Sequence, residues 1–157
     1  MSYIRKKAIE GIKVGDVFTI TRRCSEADMI KFADITKDYN PVHFDERFAT
    51  VKQFNGRICH GLLVASILTH IGGQIGWLAN RMDFKFKKPV YFGDTIICSL
   101  VITKIDQNGR AEAEAVFKNQ DTVTVLEAFL TGTIPGAEEK RVLKMMLAEG
   151  DPTNKAG

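Results

Sequence analysis

The chain has 157 residues, 45% hydrophobic and 26% charged. That is enough for one domain with its own core and no need of disulfides, the profile of a soluble globular protein. A net charge of +3, from 22 basic and 19 acidic residues with no long basic run, argues against a nucleic-acid binder.

The opening "MSYIRKKAIEG" lacks the apolar run of a signal peptide. Three dispersed cysteines, Cys24, Cys59 and Cys98, with no CxxC, read as free thiols in a reducing, cytoplasmic setting. "VGDVFTITRRC" alternates apolar and polar residues. "SEADMIKFADIT" is a helix with Ser25 as N-cap and acids in its first turn. Pro41 lacks an N–H and pushes Asn40 out of the helical region, so this helix ends near Asp38. "FDERFAT" allows a short second helix, and "VKQFNGRICH" reads as loop.

Next comes "GLLVASILTHIGGQIGWLA", Gly61 to Ala79, close to the ~20 residues a bilayer span needs. Its Thr69, His70, Gln74 and glycines favour a buried core helix, and no membrane association is expected. After Asn80 the period falls to two. "MDFKFKKPVYF", "TIICSLVITKI", "AEAEAVF" and "TVTVLEAFLTGTI" read as antiparallel strands, divided by Gly93-Asp94, Asn108-Gly109 and "KNQD" turns. A one-faced sheet needs a cover, and the apolar helix is the only candidate long enough. The class is α+β: an antiparallel sheet curled around a central helix. Residues 1–135 form this domain. Residues 136–157 extend it, with a Val142, Leu143, Met146, Leu147 stripe for a helix and then a frayed tail. Lys85, Lys87 and Lys88 form a local basic cluster suited to a small phosphorylated ligand.

The chemistry concentrates in "DYNPVHF". Asp38 and His43 are five apart, wrong for one helical face, but a Pro-ended helix followed by a turn lets both aim at one point. Asn40 suits that turn and could hold a reactive side chain in place. An acid and an imidazole on one water supply general acid–base catalysis; the plainer reading is a helix cap, a turn and a surface histidine. Gly61, at the start of the apolar helix, offers an N–H without an internal partner and room for a ligand oxygen; it is equally an ordinary glycine at a tight helix entry. Asp38, His43 and His60 could also make a two-His-one-carboxylate metal set. Cys59 beside His60 looks like a dyad, but neighbouring side chains diverge. His70 and Trp77 read as packing residues.

"FADITKDYNPVHFDERFA" together with "ICHGLLVAS" resembles the (R)-specific enoyl-CoA hydratases, the MaoC-like branch of the hot-dog fold. The shared pattern is D-x-N-P-[LIV]-H followed by a downstream H-G, carried here by Asp38, Asn40, Pro41, Val42, His43, His60 and Gly61; "FKFKKPVYFGDT" fits as well. The likeness runs from about Val14 to Pro135. One departure is Lys37, where glycine commonly precedes the acid.

The resemblance implies a hot-dog domain that hydrates a trans-2-enoyl thioester reversibly to an (R)-3-hydroxyacyl thioester. Asp38 and His43 would activate the water, and the Gly61 N–H would polarise the thioester carbonyl. Asn40, His60, Ser66 and Thr69 are the substrate-side expectations, the last two because the family lines its acyl pocket from this helix. The resemblance implies no cofactor, no metal, an acyl-CoA or acyl carrier protein thioester as substrate, and a homodimer. A hot-dog thioesterase and a non-catalytic acyl-thioester binder are the competing readings.

Overall fold

The computed structural model describes residues 2–155. The chain runs α1 (Tyr3–Glu10), β1 (Val17–Arg23), α2 (Glu26–Thr36), α3 (Pro41–Phe44), α4 (Glu46–Val51), α5 (Gly61–Ala65), α6 (Ile67–Ile75), β2 (Leu78–Phe86), β3 (Thr95–Ile105), β4 (Arg110–Lys118), β5 (Thr124–Thr133) and α7 (Ala137–Ala148). The five strands form one antiparallel sheet in the order β1-β3-β4-β5-β2.

The sheet follows the period-two reading. On β3, Ile96, Cys98, Leu100 and Ile102 are buried; on β4, Ala111, Ala113, Ala115 and Phe117; on β5, Leu126, Ala128 and Leu130. One face therefore gathers the apolar side chains. All but Ala111 share a single cluster with Ile67, Leu68, Ile71 and Ile75 of α6, the helix around which the sheet curls. The expected α+β hot-dog architecture is present.

Three expectations are corrected. The helix foreseen over Gly61–Ala79 is two pieces. At Ser66 the hydroxyl donates to the Leu63 carbonyl at 2.6 Å, and the Thr69 N–H reaches only three residues back, to the Ser66 carbonyl. A serine competing for backbone partners divides the helix. It then stops at Gly76, whose φ of 78° is the left-handed C-cap glycine adopts freely. Leu78 and Ala79 join β2 instead. Among the described residues no helix is long and apolar enough to cross a membrane.

Second, "YIRKKAIE", which the periodicity reading leaves without an element, is α1, burying Ile4 and Ala8 on the i, i+4 face. Third, the tail is not frayed where it is described. The Ser2 N–H donates to Asn154 Oδ1 at 2.9 Å, and Gln74 Nε2 donates to the Thr153 carbonyl at 2.9 Å. Arg5 lies 3.7 Å from Asp151, both side chains almost fully buried. Helix α7 packs beside α1, with Leu143 4.0 Å from where a Gly76 side chain would begin.

Candidate active site

Ser25 caps α2 by accepting from the Asp28 N–H at 3.1 Å. The helix ends at Lys37, which adopts φ 62°, ψ 19°. This left-handed conformation is where glycine is at ease. The position at which a glycine was expected is thus a C-cap, and Lys37 accepts backbone strain to turn the chain toward Asp38.

Asn40 then opens α3. Its side chain accepts from the Val42 N–H at 3.2 Å, and Pro41 fills the first helical position. The Asn40 backbone N–H, not its amide, donates to Asp38 Oδ1 at 3.2 Å. Asn40 therefore shapes the turn and holds the acid, and its side-chain oxygen is committed to the backbone rather than to a substrate.

The single turn of α3 puts His43 inward. Its Nδ1–H donates to the Ile58 carbonyl at 2.7 Å, which leaves Nε2 as the free lone pair of the neutral ring. Nε2 stands 4.0 Å from Asp38 Oδ2. That is too long for a direct hydrogen bond and a span one water bridges. Residues 58–60 are held from the other side by the Cys59 N–H, which donates to the Val90 carbonyl at 2.8 Å, and by an Ile58–Tyr91 bridge.

Burial lowers the pKa of His43 below its ordinary 6.5, and the neighbouring His60 ring adds to this; the Ile58 carbonyl and the Asp38 carboxylate oppose it. His43 is accordingly neutral, and able to accept a proton, at neutral pH.

His60 lies beneath this pair. It is 1% exposed, its Nε2–H donates to the Asp38 backbone carbonyl at 2.8 Å, and its ring centroid is 3.7 Å from that of His43. It does not line the cavity, so the expectation of a substrate contact is replaced by contact with the acid–base pair itself.

The cavity, of about 330 Å3, is walled by His43 and Gly61 with Phe54, Val64, Phe86, Val90, Val125 and Leu126, and by Lys87 and Lys88. Gly61 begins α5, so its N–H precedes any intrahelical acceptor. A Cβ on Gly61 would stand 2.8 Å from Phe86 Cε1. The space this glycine leaves is taken by the Phe86 ring, which composition and spacing did not reveal. The Ile58 carbonyl was equally hidden, since a backbone oxygen has no sequence signature.

Ser66 and Thr69 do not join this wall. The Thr69 hydroxyl donates to the Ser66 carbonyl at 2.7 Å, and Thr69 borders a separate groove with Leu68, Trp77 and Met82. Both hydroxyls donate to backbone carbonyls of their own helical segment. Cys59 lines the cavity, where the Cys24 thiol beside it and burial push its pKa above the ordinary value and disfavour the thiolate. Lys87 is paired with Glu127 at 3.3 Å.

One ligand atom from each of Asp38, His43 and His60 falls within 4.8 Å of the others. The two Nε2 atoms are 4.0 and 3.9 Å from Asp38 Oδ2, whereas tetrahedral ligands at ~2.1 Å from a metal lie about 3.4 Å apart. His60 also turns a proton, not a lone pair, toward Asp38. As it stands the set is wider than a tetrahedral metal site.

Residues 11–125 match the model of the MaoC like domain, and the chain belongs to that family of hydratases and dehydratases. It is 34% identical over 98 residues to the (R)-specific enoyl-CoA hydratase of Rhodospirillum rubrum, covering 60% of this chain and 68% of that one. It is 29% identical over 133 residues to the mitochondrial 3-hydroxyacyl-[acyl-carrier-protein] dehydratase of Arabidopsis thaliana, covering 81% and 80%. Among solved structures, the (R)-hydratase from A. caviae involved in PHA biosynthesis superposes with a TM-score of 0.75 at 25% identity, over 80% of this chain and 99% of that one.

Proposed function

We propose that the protein is an (R)-specific enoyl thioester hydratase, running equally as a 3-hydroxyacyl thioester dehydratase. The observation that carries this reading is the 4.0 Å gap between Asp38 Oδ2 and His43 Nε2, with His43 and the free N–H of Gly61 on the wall of one apolar cavity.

A trans-2-enoyl thioester enters with its acyl chain along Phe54, Val64, Val125 and Leu126. Water held between Asp38 and His43 gives a proton to the pair as its oxygen bonds to C3. The π electrons move onto the thioester carbonyl oxygen, where the Gly61 N–H stabilises the enolate. The pair returns the proton to C2, and the 3-hydroxyacyl thioester leaves. Every atom of the water ends in the product, so the scheme needs no redox cofactor. The relatives' names point to CoA and acyl carrier protein thioesters alike; Lys88, beside the cavity and in no ion pair among the described residues, favours a carrier with a phosphate.

The test is crotonyl-CoA, following loss of the conjugated absorbance together with free thiol. Hydration to the (R)-3-hydroxy product, identified with an (R)-specific 3-hydroxyacyl-CoA dehydrogenase, is expected. Thiol release without hydration would make the protein a thioesterase. Binding of crotonyl-CoA and crotonyl carrier protein without turnover of either would make it a binder.

A further inference from the structure

His60 is fully enclosed, and its polar contact and its closest ring contact are with Asp38 and His43 rather than with the cavity. Its Nε2–H has one acceptor, the Asp38 main-chain carbonyl, at 2.8 Å. Its ring faces the His43 ring at a centroid distance of 3.7 Å and a tilt of 30°. Phe32 of α2 closes another side at 5.2 Å, and Phe44 stands edge-on at 6.4 Å. Nδ1 is buried without a partner among the described residues.

Asp38 needs such support. Its side chain is half exposed, and it follows the strained Lys37 in a loop between two helices. Among the described residues its local hydrogen bonds are those from the Asn40 N–H and to Thr36 Oγ1, which accepts from the Asp38 N–H at 3.3 Å. Among the described residues, the one hydrogen bond from Asp38 into the core is that to His60. The same ring that holds the Asp38 backbone is the floor on which His43 lies.

We propose that His60 is a positioning residue. Its Nε2–H fixes the Asp38 main chain and its ring seats the His43 imidazole, so that one buried side chain sets the gap between the reacting acid and base without touching substrate. This rests on Asp38 and His43 being the reacting pair.

His60→Phe keeps the ring and removes the donor; His60→Gln restores an amide N–H in place of Nε2–H. In the Phe variant kcat for crotonyl-CoA is expected to fall about 10²-fold, the cost of a misplaced reacting group. KM should stay within roughly twofold, because no substrate contact is lost. The Gln variant should recover most of the kcat. Unchanged kcat in the Phe variant, a rise in KM alone, or no recovery with Gln would each overturn the proposal. Should the Phe variant fail to fold, imidazole 15N spectra of the intact wild-type protein still decide it. They should report His60 as the Nε2–H tautomer, and a Nδ1–H tautomer would sink the idea. The spectra do not depend on which reaction is catalysed. Wild-type inactivity on enoyl thioesters would overturn the hydratase reading alone.

Discussion

Asp38 and His43 meet because three small local decisions agree. Lys37 turns the chain through a left-handed conformation, Asn40 caps α3, and the Ile58 carbonyl fixes the His43 tautomer. Asp38→Asn and His43→Ala should each lower kcat by ~10²–10⁴-fold, the usual worth of a positioned proton-transfer group, with the fold retained. Burial and His60 hold the His43 pKa below 6.5. His43 must be neutral to accept the water's proton. Hydration should therefore persist below the ordinary histidine range, and the acid limb of the kcat/KM–pH profile should titrate under 6.5. An acid limb above that value would contradict the role. Lys37 stores strain that a glycine would not. Lys37→Gly should stabilise the fold by about 0.5–1 kcal/mol in denaturant titration, the left-handed penalty less glycine's entropy.

The elements matter chiefly for where they break. A continuous helix through Ser66 would carry α5 and α6 on one axis; Ser66 divides them, and only Gly61 and Val64 of α5 reach the cavity. Beyond α6, β2 begins with a register shift between Ala79 and Arg81 against β5. There Gly132 of β5 lets the Trp77 indole and the Leu78 carbonyl cross directly over its backbone. A methyl group at 132 would run into both. Those neighbours are backbone and a partly buried indole, which do not give way cheaply. Gly132→Ala should cost ~1–3 kcal/mol by overpacking, read as a lower urea midpoint; an unchanged midpoint would mean that the crossing relaxes freely. Gly61→Ala is the contrast. It meets only the half-exposed Phe86 ring, so it should displace that ring with little loss of stability.

At the scale of the molecule, the two ends of the chain are clasped together over the end of α6. Asp151 accepts from Thr153 and faces Arg5, while Gln74 of α6 donates to the Thr153 carbonyl. The Thr153 hydrogen bonds, first the hydroxyl, and then the Arg5 charge hold the Asp151 carboxyl below its ordinary 3.8. A lowered carboxylate pKa contributes stability that is complete above the ordinary value and is lost as pH falls through the folded-state value. Asp151→Asn should therefore lower the melting temperature at neutral pH and bring it level with wild type in strong acid. Curves that stay parallel throughout would show that the carboxylate charge plays no part.

Much of this was legible in the sequence because it depends on local periodicity. Strict alternation marks strands wherever one face is buried, and Pro41 ends a helix whatever surrounds it. The turn that aims Asp38 and His43 at one point, and the helix start at Gly61, were legible for a similar reason, since turn chemistry and helix starts are written in a few adjacent residues; the roles proposed for these three residues rest on the family resemblance. The roles of His60, Asn40, Ser66 and Thr69 were not. Each of these side chains meets a backbone atom, and a main-chain carbonyl looks the same at every position of a sequence. Phe86 over Gly61, and the Arg5–Asp151 clasp, join residues 25 and 146 positions apart. Such contacts have no local signature; they exist only once the sheet has curled and brought β2 against the start of α5, and the two termini together.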